Sequence, residues 1–299
     1  MIQPPFLKPG DTIGIAATAR KVNVEEIASA LNALSQAGFK TILASNVFKA
    51  DHQFSGNDNE RAVGFNELLK NKDVKAIWNA RGGYGSVRLL DKINWNLLKE
   101  NPKWICGFSD VTAIHAHLQQ VIGLASIHSE MMLGFENNTP QAHQSFLESI
   151  TGKPLSYQFE AHELNKPGNV QAEIVGGNLS VLYSLLGSES QLNTAGKILF
   201  IEDLDEYLYH VDRIMMALKR AGMLGNLKAL IVGGMSDMND NAIPFGKSAE
   251  EIISDAVSEF NYPVCFRFPT GHISDNRALV LGLKAKLTIG NDVSFKQTF

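Results

Sequence analysis

The sequence has little of what three large classes of protein require. Only two of its 299 residues are cysteines, which argues against the disulfide framework of small secreted proteins. Lys and Arg total 27 against 31 Asp and Glu, and no basic cluster is present to neutralise nucleic-acid phosphates. No apolar run approaches the length that spans a bilayer. We therefore expect no nucleic-acid partner and no membrane partner, but a small or peptide-like ligand.

Common metal and nucleotide motifs are also missing. The chain has no H-E-x-x-H, no C-x-x-C, no clustered Asp series and no G-x-x-x-x-G-K-[ST]. A G-x-G-x-x-G pattern that starts at Gly83 fails because its last position is Arg88. His115 and His117 are two residues apart on a predicted helix, so their side chains point in different directions. These absences predict a protein with neither a metal nor an organic cofactor.

The amino-terminal segment does not read as a signal peptide. It has two prolines before a short apolar run and no basic region ahead of a long apolar core. Cys106 and Cys265 each lie in an apolar, strand-like run, which is typical of reduced, buried thiols. We therefore expect the protein to be cytoplasmic.

Strand and helix signals alternate through residues 1–135. The segments DTIGIAA, KTILAS, VKAIWNA and KWICGF read as strands, and VEEIASALNALSQAG and NERAVGFNELLKN read as helices between them. This order predicts an N-terminal α/β domain with a parallel sheet covered by helices on both faces. Ligands of such sheets bind at the carboxyl ends of the strands.

Residues 136–168 are mostly polar, with one helical stretch near QSFLESI, and are predicted to be an interdomain region. Residues 169–299 return to the α/β pattern, with strands KILFIED, ALIVGG and YPVCFRF and a helix VDRIMMALKRAG. The strand-rich end ALVLGLKAKLTIG indicates a mixed or barrel-like sheet. The chain is thus predicted to fold as two packed α/β domains.

Three segments place a reactive residue at the end of a predicted strand, and the first is WICGFSDVT. Ser109 follows the strand and precedes a helix that begins at Asp110. A serine at such an elbow projects its hydroxyl above the sheet, beside the unpaired N–H groups of the first helical turn. Those are the requirements of a nucleophile with an oxyanion site. The alternative is that Ser109 only caps the helix, and this segment alone favours the cap.

The second segment, ARGGYGSVR, follows the strand VKAIWN. Its glycines allow the backbone to turn tightly and to approach a ligand closely, so the N–H of Gly83 is a candidate oxyanion donor. A plain turn is the alternative.

The third pair of residues lies in the second domain. Glu202 ends the strand KILFIED, and His272 follows the strand YPVCFRF in FPTGHISDN. A histidine can take the proton of a serine and return it to a leaving amine, and a carboxylate can orient that histidine. Each residue also has a simpler explanation, since Glu202 belongs to an acidic run and His272 could be a turn residue. The combination with Ser109 favours a catalytic triad.

Taken together, the segments resemble the LD-carboxypeptidases, a family of serine peptidases. The resemblance rests on LKPGDTIGIAA, the F-S-G-x-D-x-x-R-A stretch at Phe54 to Ala62, KAIWNARGGYGSVRLLD, GFSDVTAI, VGGNLSVL, LFIEDLDEYLYHVDRIM and PTGH. Seven such motifs in the same order are specific. The resemblance implies an N-terminal α/β domain, a C-terminal barrel-like domain, an active site between them and a homodimer.

The resemblance also implies roles for matching residues. Ser109 would be the nucleophile, Glu202 the orienting carboxylate and His272 the general base. Backbone N–H groups of Gly83 and Asp110 would form the oxyanion hole. The implied reaction releases the terminal D-alanine from the L-centre of a muropeptide tetrapeptide during cytoplasmic recycling of cell-wall fragments.

Such a substrate is small and anionic, so basic residues near the site should receive its carboxylates. Arg81, Tyr84 and Arg88 are the candidate substrate contacts, because they lie in or beside the glycine loop. One segment departs from the family: His128-Ser129-Glu130 stands where a His-Gly-Pro sequence is common. We therefore expect the segment after it to line the substrate pocket differently.

Two other functions remain open from the sequence. One is an amidase that detoxifies peptidyl-nucleotide antibiotics resembling microcin C, which would need aromatic side chains to stack on the base. Trp78, Trp95 and Trp104 all lie in the first domain, and no tryptophan lies in the variable loops. The other is a non-catalytic two-domain protein that binds a small ligand, which gives no reason for Ser109 and His272 to meet.

Overall fold

The computed structural model describes all 299 residues, and its strands form two sheets. The strands are β1 (Thr12–Ala16), β2 (Lys40–Leu43), β3 (Val74–Asn79), β4 (Trp104–Gly107), β5 (Ser126–His128), β6 (Leu155–Glu160), β7 (Gly168–Asn178), β8 (Ile198–Leu204), β9 (Ala229–Ser236), β10 (Val264–Cys265), β11 (Leu279–Leu281), β12 (Lys284–Ile289) and β13 (Asp292–Gln297). The helices are α1 (Val24–Gln36), α2 (Asp58–Lys70), α3 (Asn96–Glu100), α4 (Thr112–His117), α5 (Pro140–Thr151), α6 (Leu179–Ser184), α7 (Leu208–Arg220) and α8 (Ala249–Ala256). None of these helices has the length and apolar content that crossing a membrane requires.

The first sheet has six strands in the order β11-β5-β4-β3-β1-β2. Strands β1 to β5 are parallel, which confirms the predicted parallel sheet. All four residues of β4 are buried, as expected for a central strand covered on both faces. The carboxyl ends of these strands therefore share one edge of the sheet, where β4 leads into Ser109.

The second sheet is mixed and has seven strands in the order β10-β9-β8-β7-β12-β13-β6. Strands β7 to β10 are parallel, whereas β12, β13 and β6 pair antiparallel. The prediction of a mixed sheet from the strand-rich C-terminal segment is therefore confirmed. Glu202 lies within β8, near its carboxyl end, and β10 leads into the segment that carries His272.

The sheets do not follow the predicted domain boundaries. β11 belongs to the C-terminal part of the chain, yet it pairs antiparallel with β5 and forms the edge of the first sheet. The predicted interdomain region 136–168 contains α5 and also β6, which is the edge strand of the second sheet. A short strand that crosses between domains has no signal of its own in a local hydrophobic pattern, because pairing partners far apart in sequence decide its place.

One hydrophobic core joins the two sheets. A cluster of 59 buried residues includes Trp78 from β3 as well as Phe200 from β8 and Phe295 from β13. A second cluster of 25 residues lies around α7, α8 and the parallel strands of the second sheet. Because the larger cluster contains residues from both sheets, the elements that carry Ser109 and His272 pack in one continuous interior.

Candidate active site

Ser109 lies on a sharp turn directly after β4. Its φ is +61°, in the left-handed region, and a short 3-10 turn over Ser109–Val111 leads into α4. A non-glycine residue in this region is strained, as at the nucleophile elbow of hydrolases. A helix cap instead has an extended backbone and accepts an N–H from the first turn. Ser109 does neither, so the interpretation of Ser109 as a simple helix cap is wrong.

The three residues at strand ends are brought together. The Nε2 atom of His272 lies 3.0 Å from Oγ of Ser109, and its Nδ1 atom lies 2.6 Å from Oε2 of Glu202. The same Oε2 atom accepts the backbone N–H of His272 at 3.2 Å. Glu202 is fully buried and the His272 side chain is 14% exposed, so only the serine end of this chain of hydrogen bonds opens to solvent.

Local backbone features bring Glu202 under the histidine. The pairing register of β8 and β9 shifts between Ile201 and Asp203, at the step that contains Glu202, and such irregularities re-aim a side chain. Gly271 has a φ of +102°, and a Cβ atom there would lie only 2.7 Å from the Cβ of Glu202. A glycine before His272 is therefore required for the two side chains to meet.

The electrostatics of the site act on His272 in opposite directions. Burial lowers the pKa of His272, but the charge and hydrogen bond of Glu202 and the charge of Asp203 outweigh it, so the pKa is raised. Burial and the neighbouring Glu202 also raise the pKa of Asp203 to about 7. Burial keeps the pKa of the nearby His128 well below its ordinary value, so that ring is neutral at physiological pH.

The glycine loop packs directly against the elbow. A Cβ atom on Gly82 would lie 3.0 Å from the Cβ and 3.2 Å from the Oγ of Ser109. The backbone N–H groups of Gly83 and Asp110 have no acceptor within the chain. Both donors are therefore free, and their role as an oxyanion site remains a prediction.

The loop is held from two sides by buried charged groups. The Arg61 guanidinium, which is fully buried, donates to the carbonyl oxygens of Thr18 and Gly85. The carboxylate of Asp110 accepts the backbone N–H of Ser86 at 2.7 Å. Arg61 belongs to the F-S-G-x-D-x-x-R-A stretch. Nothing in that stretch indicates that Arg61 supports the glycine loop, which lies more than twenty residues later in the chain.

Replacing Arg61 by methionine is expected to lower the free energy of unfolding by about 3 kcal/mol, because two buried carbonyls lose their donor. Urea unfolding followed by circular dichroism measures the loss. Asp58 forms ion pairs with both Arg61 and Arg88. The control is Arg88→Gln, which removes the half-exposed partner and should cost much less stability. Equal losses for the two variants would contradict a special role of the buried arginine.

The residues described line a cavity of about 590 Å³ between the two sheets. Arg81 and Tyr84 line it, but Arg88 does not. The Nε atom of Arg88 lies 2.9 Å from each carboxylate oxygen of Asp58, on another part of the surface. The structure therefore does not place Arg88 among the residues that line the cavity, because its ion pair with Asp58 holds it outside. Arg20 lines the cavity and was not predicted.

The segment that departs from the family lies mostly behind the cavity. His128 is buried and packs edge-to-face on Phe200. Glu130 is fully buried, and its carboxylate accepts hydrogen bonds from Asn138 and pairs with His143. The residues of the following stretch that line the cavity are Met131 and Leu133, both apolar.

The tryptophans do not reach this cavity. Trp78, Trp95 and Trp104 are buried in the core, and the aromatic residues that line the cavity are Tyr84 and Phe108. No group of three or more His, Cys, Asp or Glu side chains is arranged so that it could hold a metal ion.

Comparison with known proteins finds the same two units. The sequence profile of the LD-carboxypeptidase N-terminal domain matches residues 13–129, and that of the LD-carboxypeptidase C-terminal domain matches residues 171–287. The chain is 31% identical over 294 residues to a probable murein peptide carboxypeptidase of Bacillus subtilis, covering 95% of this chain and 91% of that protein.

Two further proteins are similar over almost the whole chain. The crystal structure of a muramoyltetrapeptide carboxypeptidase from Oxalobacter formigenes superposes with a TM-score of 0.87 at 27% identity, covering 95% of this chain and 98% of that one. The microcin C7 self-immunity protein of Escherichia coli is 27% identical over 322 residues, covering 95% of this chain and 92% of that protein.

Proposed function

The chain belongs to the LD-carboxypeptidase family, and we propose that it is a serine LD-carboxypeptidase that releases the terminal D-alanine from a muropeptide tetrapeptide. The observation that carries the proposal is the unbroken series of hydrogen bonds from Ser109 through His272 to Glu202. The names of the relatives from Bacillus subtilis and Oxalobacter formigenes support the substrate class.

In the proposed reaction Ser109 is the nucleophile. His272 Nε2 takes the proton as Oγ attacks the carbonyl carbon before the terminal residue, and Glu202 stabilises the resulting imidazolium. The tetrahedral intermediate collapses when His272 gives that proton to the leaving amine, which frees the D-amino acid. Water then attacks the acyl-enzyme with His272 as general base, and the serine hydroxyl is regenerated.

The oxyanion of the intermediate is proposed to bind between two backbone donors. The N–H groups of Gly83 and Asp110 have no acceptor within the chain; Asp110 follows Ser109, and Gly83 follows the glycine that packs on it. Donors that are fixed before the reaction stabilise charge as it develops, without reorganisation. Arg61 supports this arrangement by holding the loop through Gly85.

The proposal is tested by incubating the protein with muramoyl tetrapeptide and measuring free D-alanine by mass spectrometry. We expect stoichiometric release of D-alanine and tripeptide, both with and without EDTA, because the proposed mechanism uses no metal. Absence of release, or release that EDTA abolishes and zinc restores, would contradict the mechanism.

The rate should depend on pH through His272, which must be neutral to accept a proton. Since its pKa is raised, kcat/KM is expected to fall as the pH is lowered, with a midpoint above about 6.5. Glu202→Gln removes the nearest charge that raises this pKa, so the midpoint should move to lower pH. The acidic groups that act on the ring are Glu202 and Asp203, and Asp203 remains in the variant. The nearby His128 is neutral. An acid limb at the same pH in both proteins would exclude Glu202 as its cause.

A second candidate is hydrolysis of a peptidyl-nucleotide, which the similarity to the microcin C7 self-immunity protein supports. We place it second because the cavity contains no tryptophan, and only Tyr84 offers a half-exposed ring for stacking. Incubation with an aspartyl sulfamoyl adenosine tests it. Hydrolysis of this compound faster than the tetrapeptide would reverse the order.

We also propose that the protein acts in the cytoplasm as a homodimer. The proposed substrate is a small peptide released from the cell wall, and both cysteines are free buried thiols. Sedimentation equilibrium would give twice the chain mass of 32.7 kDa for a dimer.

A further inference from the structure

Two arginines on one wall of the cavity have no negatively charged partner. Arg20 and Arg81 both line the cavity. The arginines that form ion pairs are others: Arg61, Arg88, Arg267 and Arg277. Arg81 donates one hydrogen bond, to the carbonyl of Lys21 at 3.0 Å, and the guanidinium of Arg20 makes none. Most of their donors therefore face the cavity or solvent without an acceptor.

The two arginines line the same cavity, and the charge of each acts in the environment of the site. Burial lowers the pKa of Arg81, the charge of Glu26 raises it, and the charge of Arg20 lowers it again. The Glu26 carboxylate accepts the backbone N–H of Asn23 and forms no ion pair with either arginine. Two guanidinium groups that line one cavity without an ion pair are suited to binding an anion.

The acidic residues that the second sheet contributes to the cavity form no ion pair with these arginines, and each is held by other groups. Asp203 accepts hydrogen bonds from the side-chain amide of Asn178 and from the backbone of Ser180. The other two acidic residues are engaged in the same way: Asp205 by Asn239, and Glu206 by His210. The acidic side chains of the cavity, including Asp110, thus have other hydrogen-bond partners, whereas neither Arg20 nor Arg81 has an acidic partner.

The position of Arg20 relative to the nucleophile is defined by the glycine loop. A Cβ atom on Gly82 would touch Ser109, whereas a Cβ atom on the next residue, Gly83, would lie 2.4 Å from Cδ and 3.3 Å from Nε of Arg20. The guanidinium of Arg20 thus lies one residue beyond the glycine that contacts the serine, beside a proposed oxyanion donor.

We propose that Arg20 and Arg81 bind the terminal carboxylate of the residue that is released, and so restrict the protein to the last residue of a peptide. This inference rests on the proposed function. The released residue's carboxylate lies about one residue length, about 3.8 Å, from the bond that is cut. A substrate held by the oxyanion donors of the loop therefore carries its carboxylate to the arginines. A longer peptide would place an uncharged amide against two cations and leave their charge unpaired.

Binding to the Ser109→Ala protein tests the inference without turnover. The probes are L-Ala-D-Glu-L-Lys-D-Ala with a free C-terminal carboxylate and the same peptide with a C-terminal carboxamide, each titrated by calorimetry. We expect the carboxylate to bind about 10-fold more tightly or better, since hydrogen bonds to a charged group are the stronger kind. Adding Arg20→Gln or Arg81→Gln should bring the ratio of the two affinities close to one.

The matched control is Arg220→Gln, which removes an exposed arginine at the end of α7 and should keep the preference for the carboxylate. Arg81→Lys retains the positive charge and should keep part of the preference for the carboxylate peptide. Equal binding of the two peptides to the parent protein, a preference that survives both glutamine variants, or failure of the carboxylate peptide to bind would each overturn the inference.

Turnover by the wild-type protein separates this inference from the proposed function. Hydrolysis of the carboxylate and carboxamide peptides at the same rate would contradict the role of the arginines and leave the serine mechanism standing. Arginine-dependent binding without any hydrolysis would support the carboxylate site and contradict the proposed reaction.

Discussion

Replacing Ser109 by alanine is expected to reduce D-alanine release by about 10⁴-fold or more. The variant loses the only oxygen within hydrogen-bond distance of His272 Nε2 and so has no nucleophile to activate. The left-handed backbone at this position is already fixed by β4 and by the short turn that follows, and alanine is no larger than serine. Circular dichroism and urea unfolding should therefore match the wild-type protein, while single-turnover kinetics report the loss.

The control for this variant is Ser184→Ala, an exposed serine at the end of α6 whose hydroxyl bonds only to its own helix. It should retain full activity. Residues that act as a unit are not additive, so Ser109→Ala combined with His272→Ala should be hardly slower than either single variant. Additive losses would mean that the two side chains act independently, in contradiction to the proposed proton transfer.

Replacing Gly271 by alanine is expected to reduce kcat by about 100-fold or more, although Gly271 itself touches no substrate. The new methyl group would lie 2.7 Å from Cβ and 2.8 Å from Oε2 of Glu202, closer than any real contact. Either the carboxylate or the loop that carries His272 must move. A shift of this kind breaks the hydrogen bond between the two side chains and misplaces the base relative to Ser109.

Gly222→Ala separates this displacement from the ordinary cost of a left-handed residue. Gly222 ends α7 with a φ of +76°, and a Cβ atom there would have nothing within 4 Å. Both variants should lose about 1 kcal/mol of stability from the backbone alone. Only Gly271→Ala should lose activity. If both variants kept full activity, the close approach of Gly271 to Glu202 would not matter for the reaction.

The residues of the proposed triad could be found from the sequence because each ends an apolar strand. In parallel sheets the carboxyl ends of the strands lie at one edge, where ligands bind. Polar residues at those ends are therefore candidates for an active site. Ser109 alone was ambiguous, since a cap and a nucleophile share the same position in the sequence. Only the backbone angle and the contact with His272 decide between them.

Other parts of the site had no local signal. Arg81 and Arg88 both lie near the glycine loop in sequence, but an ion pair with Asp58 holds Arg88 outside the cavity. Arg20 comes from the loop after β1, and its place above Gly83 depends on how that loop packs. Arg61 is more than twenty residues from the loop that it holds. Such contacts arise from tertiary packing, which no pattern of periodicity reports.

The pairing of β11 with β5 determines when the site can form during synthesis of the chain. Domains fold as they emerge from the ribosome, with the N-terminal one first. The nucleophile at residue 109 is therefore synthesised long before its base at residue 272, and the loop of that base is tied to the first sheet only when Leu279–Leu281 pairs with β5. In a nascent chain that ends before β11, the loop of His272 would lack this link to the sheet that carries Ser109. We therefore expect the proposed triad to assemble only after this strand has been synthesised.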